Sequence, residues 1–311
     1  MNTIRKTKAV QQKFRWQFII KVIVGVVICL AGIYLSLSAY AAHSLSTPQR
    51  KFEPEEAAVF AITPEEVKFP AADGLEIAGW FIPSTASDKV LILVHGRNSS
   101  LTHEFDGKFP EFGAAMHRRG FSVLMIDLRG HGQSATALCT FGLTERRDII
   151  GAISWLKQRG YQANKIGLLG VSMGAAAVVG AAADNPEIGA LVLDSGFAEI
   201  YPLMKNRWQP DSGLPEIFLP STLLIGQWLT GYNLTSSRPV KELEQMTFRP
   251  ILIIHSALDP ISPVEQAYQL RAAAPTSEYW ETTTAKHAKN YNSNPQAYVD
   301  KVADFLNHHL R

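Results

Sequence analysis

Short apolar runs separated by longer amphipathic segments dominate the chain from about residue 65 to its C-terminus. Several runs are nearly continuous in Val, Ile and Leu, which is typical of strands buried on both faces of a largely parallel sheet. The pattern predicts strands at Glu66–Phe69, Glu76–Ile82, Lys89–Val94, Ser122–Ile126, Lys165–Leu169, Ala190–Leu193, Pro250–His255 and Glu278–Glu281. Helical spacing predicts helices at Phe109–Arg119, Glu145–Arg159, Ser172–Ala183, Val264–Ala274 and Pro295–His309. This alternation favours an α/β fold with a mostly parallel, doubly wound sheet.

The interval 197–249 interrupts the alternation. It is rich in proline and aromatic residues, Trp208 and Trp228 among them, and it contains no clear strand. A connection of this length is unusual inside a compact domain unless it has a structure and function of its own. We expect a largely helical cap over the functional site, in which the two tryptophans shape the substrate pocket. An ordinary helical excursion packed on the sheet is the alternative.

An uncharged run from Val22 to Ala42 precedes the folded domain and has about the twenty residues needed to cross a bilayer. Basic residues without acidic ones come before it, so the positive-inside rule places the N-terminus in the cytoplasm and the remaining chain on the other side. We therefore expect a basic tail at 1–21, a transmembrane anchor at 22–42, a linker at 43–64 and one folded domain at 65–311. The small-x-small sequence Ala39-Tyr40-Ala41 leaves open a signal peptide that is cleaved, with secretion of the rest.

Composition excludes some classes of function. The 46% hydrophobic and 19% charged content is that of an ordinary globular protein, and a net charge of +2 gives no support to nucleic-acid binding. The two cysteines, Cys29 and Cys139, lie in the apolar run and far along the chain, so we expect no disulfide between them. Neither has the neighbours of a zinc site, and we expect neither a metal nor a cofactor.

One motif carries a specific chemistry. Gly170-Val171-Ser172-Met173-Gly174 follows a predicted strand and opens an Ala-rich helix, which is the context that a G-x-S-x-G nucleophile elbow requires. The glycines permit a tight turn in which strand and helix pass close together. Such a turn projects the Ser172 hydroxyl above the sheet, at the positive end of the following helix. The pattern indicates Ser172 as a nucleophile.

From Val67 onwards the chain resembles an α/β-hydrolase, similar to the membrane-anchored Bem46-like and ABHD-type serine hydrolases. The resemblance rests on four motifs in the order of that family. They are His95-Gly96-Arg97 after a strand, the D-x-R-G-H-G-x-S loop at Asp127–Ser134, the elbow, and an acid and histidine pair near the C-terminus. It implies an α/β-hydrolase fold with a helical cap, preceded here by one transmembrane helix.

The resemblance also implies the partners of the serine. Asp259, in a loop after the penultimate strand, is the candidate acid, and Asp194 is the alternative because some hydrolases carry the acid there. His287, just after the last strand, is the candidate base and completes the chain order Ser, Asp, His. By resemblance, the backbone N–H groups of Met173 and Arg97 form the oxyanion hole.

The implied activity is hydrolysis of a carboxylic ester or thioester through an acyl-enzyme intermediate, on a small-molecule or lipid acyl substrate. A serine peptidase of the prolyl-oligopeptidase type shares the motif order and is the first alternative. A non-catalytic binding module tethered to the membrane is the second. If the N-terminal helix is an anchor, the catalytic domain lies on the non-cytoplasmic side of the membrane.

Overall fold

The computed structural model describes residues 2–51, 58–246 and 249–310, and the side chains from residue 12 onwards. Part of the expected linker, 52–57, lies outside the described residues. The strands are β1 (Glu65–Pro70), β2 (Glu76–Ile82), β3 (Val90–Val94), β4 (Ser122–Ile126), β5 (Ile166–Val171), β6 (Ala190–Asp194), β7 (Ile251–Ser256) and β8 (Glu278–Thr282). The helices are α1 (Asn2–Ser46), α2 (Phe109–Arg118), α3 (Arg146–Gln158), α4 (Met173–Asp184), α5 (Ile200–Ser212), α6 (Leu219–Thr230), α7 (Pro239–Gln245), α8 (Val264–Ala273), α9 (Asn290–Ser293) and α10 (Pro295–His309).

The eight strands form one sheet in the order β1-β2-β4-β3-β5-β6-β7-β8. The pairings β1·β2 and β2·β4 are antiparallel and the other five are parallel. The expected mostly parallel sheet is confirmed, and the strands begin and end within two residues of their predicted positions.

The sheet has a hydrophobic core on each face, because alternate side chains of a strand point to opposite sides. In β3, Ile92 packs in the core beneath α3, α4 and α8, whereas Leu91 and Leu93 pack in the core beneath α2 and α10. Every residue of β3 is buried, which explains its continuous apolar sequence.

Residues 197–246 contain helices α5, α6 and α7, and this segment is called the cap below. Gly213 and Gly231 end α5 and α6 in the left-handed conformation, with φ of 70° and 77°. Such a residue stops a helix while its N–H satisfies one of the last carbonyls, and glycine adopts this conformation without steric cost.

The N-terminal helix α1 is one continuous helix of 45 residues, longer at both ends than the uncharged run 22–42. Its segment Gln12–Ser46 is long and apolar enough to cross a membrane. Large apolar side chains from Phe14 to Leu37 face solvent along it. The last turns instead pack against α6, so the end of the helix belongs to the folded domain.

Candidate active site

Ser172 occupies the turn between β5 and α4, with φ of 54° and ψ of −117°. A positive φ is costly for a residue other than glycine, and such strain is typical of functional sites. The flanking glycines are required by close approach: a Cβ on Gly170 would lie 2.4 Å from the carbonyl oxygen of Gly174, and one on Gly174 would lie 2.5 Å from that of His95. The elbow predicted from the sequence is therefore present in the structure.

The structure brings the three sequence-predicted side chains together in one hydrogen-bonded chain. Ser172 Oγ lies 2.8 Å from His287 Nε2, and His287 Nδ1 lies 2.7 Å from Asp259 Oδ2. The other carboxylate oxygen, Oδ1, accepts the backbone N–H groups of Ile261 and Ser262, each at 2.8 Å. With the Asp259 carboxylate accepting from Nδ1–H, the Nε2 atom is left to accept the hydroxyl proton of Ser172.

The alternative acid, Asp194, has a different environment. It is fully buried, its carboxylate accepts hydrogen bonds from Tyr298 OH and Ser195 Oγ, each at 2.8 Å, and burial raises its pKa. Ser195 Oγ in turn accepts the N–H of Ala288 at 3.1 Å. Asp194 thus supports the segment that carries His287, and it forms no hydrogen bond with the imidazole.

The two predicted oxyanion donors are the residue after Ser172, Met173, and the residue after Gly96, Arg97. Met173 is the first residue of α4, where a backbone N–H has no acceptor within the helix. Gly96, next to Arg97, lies so close to the serine that a Cβ there would be 3.1 Å from Ser172 Cβ. The N–H of Gly96 donates to Glu104 Oε2 at 2.7 Å, which fixes this loop from beneath. Burial raises the pKa of Glu104. Glu104 belongs to no recognised motif, so the sequence does not identify this carboxylate.

The side chain of Arg97 binds the end of α1. Its Nη2 donates to the carbonyl oxygens of Leu45 and Ser44, at 2.8 and 3.1 Å, and the N–H of Cys139 donates to the carbonyl oxygen of Ser46 at 2.7 Å. The last carbonyls of a helix lack partners within it, and its C-terminus favours a cation. Residues of the folded domain therefore satisfy the last carbonyl groups of α1.

Two histidines of the family motifs shape the loop before the serine without reaching it. His95 Nε2 accepts the N–H of Leu128 at 3.0 Å, so its Nδ1 carries the proton and donates to the carbonyl oxygen of Gly96 at 2.7 Å. His131 Nε2 accepts the N–H of Asn98 at 3.2 Å. Burial lowers the pKa of both rings, which matches their role as neutral acceptors.

Acidic and basic groups of the same loop brace it further. The carboxylate of Asp127 accepts the N–H groups of Leu101 and Gln133, both at 2.8 Å, and burial raises its pKa to about 6. Arg129 binds the buried Asp148 through its Nε and its backbone N–H, each at 2.8 Å. These contacts hold the loops around the serine in place.

A cavity of about 590 Å³ opens above Ser172 and His287, between the catalytic domain, the cap and α1. Its volume lies in the range of small-molecule sites. Trp208 lines it, whereas Trp228 is 81% exposed on the outside of the cap, so the expectation that both tryptophans shape the pocket was half wrong. The full lining is Leu37, Tyr40, Ala41, Ser44, Leu45, Arg97, Asn98, Phe141, Ser172, Met173, Phe197, Ile200, Leu203, Met204, Arg207, Trp208, Asp211, Ser212, Leu214, Leu219, Ile261 and His287.

Among the described residues, no group of three or more His, Cys, Asp or Glu is arranged to hold a metal ion.

Comparison with known proteins agrees with this architecture. A family model described as "Serine aminopeptidase, S33" matches residues 85–212. The uncharacterized protein YqkD of Bacillus subtilis is 27% identical over 243 residues, which cover 76% of this chain and 77% of that protein. The Pyrococcus furiosus esterase Pf2001 has a TM-score of 0.70 at 24% identity, covering 86% of this chain and 99% of the other. The alpha/beta hydrolase GrgF of Penicillium has a TM-score of 0.64 at 18% identity, covering 80% and 99%.

The protein therefore has the α/β-hydrolase fold, as expected from the sequence. These relatives do not test the narrower resemblance to the membrane-anchored Bem46-like and ABHD-type groups, which stays a prediction.

Proposed function

We propose that the protein is a serine hydrolase that cleaves a carboxylic ester or thioester through an acyl-enzyme intermediate. The observation that carries the proposal is the hydrogen-bonded chain Ser172–His287–Asp259 at the floor of a largely apolar cavity. The likeness in fold to the esterase Pf2001 supports it.

The geometry suits each step of acyl transfer. His287 Nε2 takes the proton of Ser172 as Oγ attacks the acyl carbon, and Asp259 holds the imidazole in the required tautomer and stabilises its cationic form. The N–H groups of Met173 and Arg97 stabilise the oxyanion, a contribution of about 10²–10³ in kcat for each donor. The imidazolium then protonates the leaving alcohol or thiol, and water activated by His287 releases the acid.

Labelling with a fluorophosphonate tests the nucleophile. We expect wild-type protein to be labelled and to hydrolyse aryl esters, and Ser172→Ala to lose both properties. Ser154→Ala, on the exposed face of α3, is the matched control. Labelling of Ser172→Ala at the wild-type level would show that another residue is the nucleophile, and an unlabelled wild-type protein would favour the non-catalytic binding module.

The family description favours a serine peptidase as the second candidate. An aminopeptidase needs an anionic group to bind the substrate amine. Among the described residues that line the cavity, only Asp211 carries a carboxylate, and it is paired with Arg207. This pairing and the apolar lining favour an acyl group over a peptide N-terminus. Cleavage of an aminoacyl arylamide without cleavage of the matching aryl ester would reverse the assignment.

We also propose that α1 is retained as a membrane anchor, with the N-terminus in the cytoplasm and the catalytic domain on the other side. The helix has the required length and composition, and basic residues precede its apolar part. Alkaline phosphatase fused after Arg311 reports the side of the C-terminus, because it is active only outside the cytoplasm. An inactive fusion of a stably produced protein would refute this orientation.

A further inference from the structure

The cavity above Ser172 has a wall that no catalytic motif supplies. Five of its lining residues, Leu37, Tyr40, Ala41, Ser44 and Leu45, come from α1. Their spacing is i, i+3, i+4, i+7 and i+8, which is that of a single helix face. The cavity therefore runs along about 12 Å of the helix at 1.5 Å per residue.

The two ends of this wall lie in different surroundings. Leu45 is at the catalytic end, where Arg97 binds its carbonyl oxygen. Leu37 is inside the uncharged segment 22–42 and is 38% exposed. A path along α1 from the serine thus leads into the part of the helix that is apolar enough to lie in a bilayer.

The cap also contacts α1 within the uncharged segment 22–42. Tyr34 OH donates to the carbonyl oxygen of Ile217 at 2.8 Å, the rings of Tyr34 and Phe218 stack at 4.7 Å, and Ser38 Oγ lies 2.8 Å from Ser221 Oγ. Helix α6 therefore runs parallel to α1. Tyr34 is eight residues before the end of the uncharged run, so the start of α6 reaches about 12 Å alongside it.

The outer surface of this part of the cap is suited to lipid. Helix α6 contains no charged residue, and Ile217, Leu224 and Trp228 expose 69%, 69% and 81% of their surface. Tyr40 of α1 is also 73% exposed. Tryptophan and tyrosine concentrate at membrane interfaces, where one part of the ring is in lipid and the other in water. The apolar surface of the cap continues that of the membrane helix.

We propose that the acyl chain of a bilayer lipid is the substrate group, and that it enters from the non-cytoplasmic leaflet along the face of α1 formed by Leu37, Tyr40, Ala41, Ser44 and Leu45. The proposal rests on the proposed hydrolase function and adds its substrate class and route. The N-terminal helix is then a wall of the binding site as well as an anchor. Cleavage after Ala41 would remove Leu37, Tyr40 and Ala41 from that wall.

A larger side chain on the α1 face of the cavity tests the proposal. The full chain is reconstituted in phosphatidylcholine vesicles that contain 4-methylumbelliferyl palmitate, and soluble 4-methylumbelliferyl butyrate is assayed with the same protein. Ala41 is 7% exposed and lines the cavity, whereas Ala39 of the same helix is exposed and does not. We expect Ala41→Phe to lower the palmitate-to-butyrate rate ratio at least tenfold, because a phenyl ring blocks the path of the long chain. The ratio for Ala39→Phe stays that of the wild type.

A second variant keeps the test decisive if Ala41→Phe does not fold. Tyr40→Ala removes an exposed side chain from the same wall, and we expect it to lower the ratio at least threefold. Unchanged ratios for both folded variants, or an equal change for Ala39→Phe, would overturn the proposed route. Fluorophosphonate labelling distinguishes failure of the route from failure of the function. Unchanged palmitate-to-butyrate ratios in variants whose Ser172 is still labelled refute this inference alone, whereas an unlabelled wild-type protein refutes the hydrolase function.

Discussion

Replacing Asp259 by Asn removes one charge from the candidate triad and reverses one hydrogen bond. In the folded protein, Oδ1 of Asp259 accepts two backbone N–H groups, those of Ile261 and Ser262, and Oδ2 faces His287 Nδ1 at 2.7 Å. An asparagine retains the first two bonds only if its oxygen takes the Oδ1 position. Its NH₂ group then faces the imidazole, so Nδ1 must accept and Nε2 must carry the proton. That proton points at Ser172 Oγ, and the ring can no longer act as a base.

The same change of tautomer in a serine protease lowers kcat about 10⁴-fold, and we expect a loss of this size here, or about 5.4 kcal/mol in activation free energy. The assay is steady-state hydrolysis of an aryl butyrate with Asp259→Asn, and Asp304→Asn, at an exposed position of α10, is the control. KM should change little, because Asp259 does not line the cavity. A loss below tenfold in a protein with wild-type melting temperature would refute the role of Asp259. A larger loss in folded Asp194→Asn would transfer that role to the alternative acid.

Three further predictions concern groups around the serine. Glu104→Ala leaves the N–H of Gly96 without its buried acceptor, so we expect about 1–3 kcal/mol of destabilisation in urea unfolding and a lower kcat than in Glu104→Gln, which keeps an acceptor. Burial raises the pKa of Asp127 to about 6, above its value in the unfolded chain, so its contribution to stability is complete below about pH 4 and is lost as the pH rises through 6. The difference in unfolding free energy between the wild type and Asp127→Asn should therefore shrink in favour of the variant between pH 4 and 6.5. A difference that grows over this range would contradict the burial argument. Trp208→Ala should change the preference for acyl length in an ester series, whereas Trp228→Ala leaves that preference unchanged for soluble esters, because only Trp208 lines the cavity.

The sequence predicted those parts of the molecule that local patterns specify. β3 could be identified because a strand buried on both faces has to be apolar throughout. The elbow could be identified because Gly170 and Gly174 are required by close backbone contacts within a few residues of Ser172. Both features depend on neighbours in the chain, which a sequence motif records.

The remaining features depend on residues that are distant in the chain. Tyr34 and Ile217 are 183 positions apart, and no local pattern relates them. Glu104 lies in an irregular segment, and its contact with Gly96 depends on how that segment folds back. The end of α1 at Ser46, beyond the uncharged run, is set by hydrogen bonds from Arg97 and Cys139. Hydropathy along the sequence predicts the apolar part of a helix, and it does not predict the residue at which the helix ends.

Arg97 connects the proposed membrane anchor α1 to the proposed oxyanion hole within a single residue. Its backbone N–H is the second proposed oxyanion donor, and its guanidinium holds the last turn of α1. A transmembrane helix tilts when the thickness of the bilayer does not match its apolar length. Tilting of α1 would pull on Arg97, the proposed second oxyanion donor, and would also displace one wall of the cavity. With α1 as the proposed anchor and a lipid as the proposed substrate, bilayer thickness becomes a variable of the active site, and the lipid composition of the membrane would affect the rate of hydrolysis as well as the supply of substrate.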